Sequence, residues 1–150
     1  MTLKKRLYEQ LEKVDPDDIA VSTILADIAY LIQDSRIKPT PMPSEIDKEY
    51  GGVVMDVLES DKIREVSLGS AFFVISKCYD PNSYERFLRY ISERFDSIKD
   101  IHSIGNAYTA IENHRGLVSD KTKSHQYLKR LLKKIKSSPA TSPWKLLCNK

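Results

Sequence analysis

The chain has 150 residues, of which 41% are hydrophobic and 30% charged, and its formal net charge is +3. That length suits one domain able to bury about 70% of the surface its unfolded chain would expose, and no apolar run approaches the roughly 20 residues needed to cross a bilayer, so no membrane partner is expected. Two distant cysteines, Cys78 and Cys148, argue against a disulfide framework or a paired-cysteine zinc site. Leu3, Leu7 and Leu11 alternate with charges instead of forming a signal-peptide core. A cytoplasmic setting is the expectation.

Charge is unevenly spread. Residues 1–115 hold 15 Lys or Arg against 20 Asp or Glu, a net of −5, whereas residues 116–150 hold nine bases against Asp120 alone, a net of +8. Such asymmetry reads first as solvated helix faces, with a basic partner for the first part and an acidic one for the last as the alternative.

In chain order, Leu3, Leu7, Leu11 and Val14 form one apolar stripe of a first helix over about 2–14. Asp15-Pro16 reads as an N-cap followed by the helical position that tolerates proline, opening a second helix to about Asp34. Ile19, Val21, Ile24, Leu25, Ile28, Leu31 and Ile32 make that helix apolar over much of its circumference, as for a central helix. Pro39, Pro41 and Pro43 then impose an extended connector from Arg36. Ser44 with Asp47 resembles a capping box for a helix through Ile46, Tyr50, Val53, Val54, Val57 and Leu58. Gly51-Gly52 inside it reads as a point of close helix approach in preference to a kink.

A fourth helix, Lys62 to Tyr79, is expected to bury Ile63, Val66, Ala71, Phe72, Ile75 and Cys78. Asp80-Pro81 opens the next, carrying Tyr84, Phe87, Leu88, Ile91 and Phe95. Asp96 opens another through Ile98, Ile101, Ile104, Tyr108 and Ile111, with Gly116 as its stop, and Ser119 or Asp120 caps the last. That final helix sets Tyr127, Leu128, Leu131, Leu132 and Ile135 opposite Lys129, Arg130, Lys133, Lys134 and Lys136. From Ser137 the chain reads as an extended tail ending in Trp144, Leu146 and Leu147. The expected organisation is a single all-α domain over 1–136 and a tail over 137–150, with about seven helices and no strand.

The segments starting at Asp61 and Asp96 share the order acid, apolar, base, acid, apolar at a spacing of 35, with a fainter copy at Asp17. Leu58, Asp61, Ile63, Arg64 and Ala71, and again Phe95, Asp96, Ile98, Lys99 and Ala107, resemble the start of the second helix in HEAT-type repeats, over roughly 45–113. The resemblance implies antiparallel helix hairpins stacked as a short right-handed α-solenoid. The turn between acid and base is shorter than the family pattern and the connector carries three prolines, so a compact bundle is the structural alternative.

Catalytic grammar is missing. His102, His114 and His125 lie in no HExxH or Cys-paired spacing, and the chain has no GxxxxGK[ST], GxGxxG or GxSxG. No enzymatic activity, metal or cofactor is expected. Glu45, Asp47, Glu49, Asp56, Glu59 and Asp61 concentrate acid around one hairpin, a candidate contact for a basic protein such as a nuclease toxin. The sequence reading is therefore a protein-binding module, most specifically an immunity or inhibitor protein that neutralises a bacterial toxin. The runner-up is a nucleic-acid-binding module using Lys129, Arg130, Lys133, Lys134 and Lys136.

Overall fold

The computed structural model describes residues 2–36, 44–118 and 121–149, which contain seven α-helices and no strand. They are α1 Leu3–Leu11, α2 Asp18–Ser35, α3 Glu45–Glu59, α4 Glu65–Lys77, α5 Pro81–Arg94, α6 Ile101–His114 and α7 Thr122–Ser137. Short 3-10 turns follow α5 and α6, and a longer one spans Pro143–Asn149. The protein is all-α, and its helices pack into one compact arrangement.

Local capping explains most of the boundaries. Ser44 and Asp47 form the reciprocal capping box of α3, and Asp80 caps α5 with Pro81 at the first helical position. Elsewhere the capping acid lies two to four residues beyond the expected one. α2 is capped by Asp17, whose Oδ1 accepts from the N–H of Ile19 at 3.0 Å and of Ala20 at 3.3 Å. Pro16 thus lies before the cap, and Asp15 turns to Arg64 at 2.9 Å. Asp100, not Asp96, caps α6, because Phe95–Ser97 forms a 3-10 turn that delays the helix. Ser119 and Asp120, expected to cap α7, and residues 37–43 of the connector lie outside the described residues; Arg36 itself is the C-cap of α2, with right-handed helical dihedrals instead of extended ones.

Asp61 departs furthest from its expected role. It ends α3 instead of starting α4: its φ is 55°, the left-handed region, and its N–H donates to the Leu58 carbonyl at 3.0 Å while Lys62 N–H donates to the Val57 carbonyl at 3.1 Å. That pair of bonds is a Schellman ending built on an Asp instead of the usual Gly. α4 begins four residues later at Glu65, with no side-chain cap from Arg64.

The helices pack in two rows. α4 lies between α2 and α6, and α7 packs on the other side of α6; α3 packs on α5 in the second row, while α1 packs on α2. The pairings fix direction. Ser67 at the start of α4 bonds Ser22 near the start of α2, and Tyr30 near the end of α2 meets Phe73 near the end of α4, so the two run parallel. His102 faces Gly69 and His114 reaches Ile75, so α6 runs parallel to α4. Gly51 lies against Ser83, and Arg86 joins Asp56 and Glu59, so α3 and α5 are parallel too. Successive hairpins therefore stack in the same sense.

The core runs through both rows. Phe72 is fully buried and meets Phe87 and Tyr90 edge to face, at centroid distances of 5.3 and 6.0 Å. Gly51 permits the close approach of α5, since a Cβ there would fall 2.5 Å from Ser83 Oγ, whereas a Cβ at Gly52 would meet nothing. Four expected core positions are on the surface: Val14, Ile19, Val66 and Leu31. α1 stops at Leu11, which strands Val14, and the later start of α4 turns Val66 outward in its first turn. The tail is not simply extended, because its 3-10 turn packs on α6 and α7.

Candidate functional site

The acidic hairpin does not form an open acidic face. Asp47 is fully buried: it accepts from Ser44 Oγ at 2.5 Å and Tyr79 N–H at 3.0 Å, and pairs with Arg36. Its second acceptor oxygen completes the α3 cap, so the carboxylate ties α2, α3 and the end of α4 together and is unavailable to a partner. Asp56 and Glu59 both accept from Arg86, at 2.7 and 2.8 Å, and Asp61 accepts from Arg94 at 3.0 Å. Only Glu45, near Lys48 at 3.7 Å, and Glu49 remain as exposed acids without an arginine partner among the described residues.

The basic helix divides as well. Lys134 donates to the carbonyls of Phe95 and Ile98, satisfying the turn between α5 and α6, and burial lowers its amine from the ordinary lysine value. The Arg130 guanidinium lies 4.0 Å from the Phe95 ring centroid, a cation–π contact. Lys129, Lys133 and Lys136 are exposed and have no carboxylate partner among the described residues.

One surface that the packing leaves uncovered is the outer face of the α2, α4 and α6 row. Ile19 is 80% exposed and Val66 68% exposed, and between them α2 and α4 leave an open apolar groove of about 340 Å³ lined also by Ser22, Thr23 and Ala26. Ser22 and Ser67 hydroxyls meet at 3.0 Å, which draws the two helices together beneath that groove. Along the same row lie Tyr30, half exposed, and Phe73, with Lys77 Nζ 5.2 Å from the Phe73 centroid. Asp15, Asp17, Asp18 and Glu65 border the Ile19–Val66 end, with Arg64 already bonded to Asp15 and Asp18.

The histidines and cysteines have separate surroundings. Among the described residues no three His, Cys, Asp or Glu side chains converge as a metal site. Cys78 is buried, and loss of hydration pushes its thiol far above the ordinary value, so it is held as an unreactive thiol. His114 is fully buried, with Nε2–H donating to the Ile75 carbonyl at 2.8 Å and Nδ1 meeting no partner. Burial lowers its imidazole below the ordinary histidine value, and protonation would place an N–H where no acceptor stands. His125 is exposed on α7. His102 accepts from the Trp144 indole N–H at 3.3 Å, which joins the C-terminal turn to α6.

The Ile19–Val66 groove and the Trp144 contact both escaped the sequence pattern. The first was hidden because Ile19 and Val66 fit helical periodicity. Gly105, over which the Trp144 ring lies, was the one signal for the second. No helix among the described residues is long and apolar enough to span a membrane. No protein-family model, curated protein or solved structure matches the chain.

Proposed function

We propose that this chain is a non-catalytic protein-binding module whose contact surface is the outer face of the α2–α4 row. The observation that carries the reading is the exposed pair Ile19 and Val66 flanking an open groove, while aliphatic positions elsewhere in the helices are mostly buried. The bordering Asp15, Asp17, Asp18 and Glu65 outnumber Arg64, which pairs with Asp15 and Asp18. That net acid favours a partner that presents apolar side chains among lysines or arginines, since complementary charge speeds encounter and fixes orientation. The most specific form is an immunity or inhibitor protein for a basic toxin. Its contact then lies on α2 and α4, because the exposed Ile19 and Val66 are there. Among the described residues no comparable apolar pair accompanies Asp56, Glu59 and Asp61, which the arginines of α5 already occupy.

The test is affinity capture from the native cell with three baits: wild type, Val66→Asp with Ile19→Asp, and Lys129→Glu with Lys133→Glu. A basic protein held by the first and third baits and lost from the second supports the reading. Equal recovery by all three rejects it.

A second reading is favoured by Lys129, Lys133 and Lys136, which have no carboxylate partner among the described residues, recur along one exposed stretch of α7 and could neutralise phosphates of a nucleic acid. Its mark is duplex binding that persists near 0.15 M salt, an ionic strength at which a Debye length is about 8 Å, and that disappears in the α7 Glu variant.

A further inference from the structure

Between α4, α6 and the C-terminal turn lies a cleft of about 310 Å³ lined by Ser70, Phe73, His102, Asn106 and Trp144. Its size is near the lower end of small-molecule sites, roughly 300–1,000 Å³. Phe73 and Trp144 supply aromatic surface. Trp144 is placed because Gly105 has no Cβ, so the indole can lie directly on α6; any side chain at that position would occupy the ring.

The polar end of the cleft is left incomplete by the protein's own bonds. Trp144 Nε1 and Asn106 Nδ2 both approach the His102 ring as donors, and a neutral imidazole accepts at one nitrogen only. Since the indole N–H has no other partner among the described residues whereas Asn106 Nδ2 also bonds a carbonyl, we assign Nδ1 as the acceptor and the proton to Nε2. Asn106 is 95% buried in the α6 wall; its Nδ2 donates to the His102 carbonyl at 3.0 Å and lies 3.3 Å from His102 Nε2. Two N–H groups cannot satisfy one another, so His102 Nε2–H has no acceptor there. Asn106 Oδ1, in turn, accepts from no described residue. A donor and an acceptor thus stand side by side at the end of an aromatic cleft.

We propose that this cleft binds a free small molecule consisting of a planar aromatic ring that bears a carboxamide. The ring lies between Phe73 and Trp144, the ligand carbonyl accepts from His102 Nε2–H, and the ligand N–H donates to Asn106 Oδ1. The inference is independent of the protein-binding reading, because every wall comes from this chain and the site needs no partner.

The probe is benzamide, added to the full chain, with toluene and cyclohexanecarboxamide as the ring-only and amide-only controls. Trp144 is the sole tryptophan, so its fluorescence reports on the cleft directly. Saturable benzamide binding with a Kd of about 1 mM or tighter, equivalent to about −4.1 kcal/mol, is expected, with each control at least about fivefold weaker, one polar or stacking contact being lost. His102→Ala, at an exposed position, should weaken benzamide by about tenfold. Gly105→Ala, which favours the helix while displacing Trp144, should shift the emission toward that of a water-exposed indole and remove binding. The proposal is overturned by no saturable response at about 10 mM, tenfold above the expected Kd, in protein with a wild-type melt. It is equally overturned by toluene binding as tightly as benzamide, or by His102→Ala and Gly105→Ala both binding like wild type.

Discussion

Phe72 and Asp47 show how differently two fully buried side chains hold the same fold. Phe72→Ala removes an aromatic ring packed against Phe87 and Tyr90, so the expected loss is about 3 to 5 kcal/mol in denaturant unfolding, from lost transfer energy plus the cavity left behind. Asp47→Ala removes the carboxylate that pairs with Arg36 and accepts from the Tyr79 N–H, and the same measurement should show a loss of at least about 2 kcal/mol. His114 adds a pH dependence of definite sign. Its folded-state pKa lies below the ordinary 6.5, so as pH falls below about 6.5 the unfolded chain binds the proton more readily and stability declines. Above that range the imidazole is neutral in both states and the effect vanishes. Unfolding at pH 7.5 and 5.5 should therefore show a loss in wild type that is smaller in His114→Gln, which retains an amide donor for Ile75. A steeper decline in the variant would contradict the assignment.

At the scale of helices, the two adjacent glycines of α3 should respond in opposite directions. Gly52→Ala meets no neighbour and should stabilise by up to about 1 kcal/mol through helix propensity. Gly51→Ala drives a Cβ into Ser83 Oγ, which cannot swing aside freely because it donates to Asp80 at 2.7 Å, and the melting temperature should fall. The same hairpin shows what sequence could and could not convey. Periodicity located all seven helices, and the Ser44–Asp47 and Asp80–Pro81 signals placed two of their starts, because capping is settled within four residues. Asp61 was misread because an acid near a helix boundary serves either end: as an N-cap acceptor or, as here, in a left-handed closing position. Register followed from that boundary. Moving the start of α4 to Glu65 put Val66 in solvent although its apolar character agrees with the core pattern.

For the molecule as a whole, the distribution of charge was legible and its employment was not. Counting residues found the acids of 45–61 but could not find Arg86 and Arg94, which arrive from α5 about 30 positions later and neutralise Asp56, Glu59 and Asp61. The basic surface of α7 is likewise thinned by Lys134, turned inward to the Phe95 and Ile98 carbonyls, and by Arg130 over the Phe95 ring. Among the faces the packing leaves open, the α2–α4 face has an apolar centre and an acidic border. A photo-crosslinking residue placed singly at Ile19, Val66, Glu49 and Lys133 in the native cell tests that face most directly. The account predicts one shared adduct, to a basic protein, from Ile19 and Val66 and not from Glu49 or Lys133. Adducts confined to Lys133 or Glu49, with none at Ile19 or Val66, would contradict it.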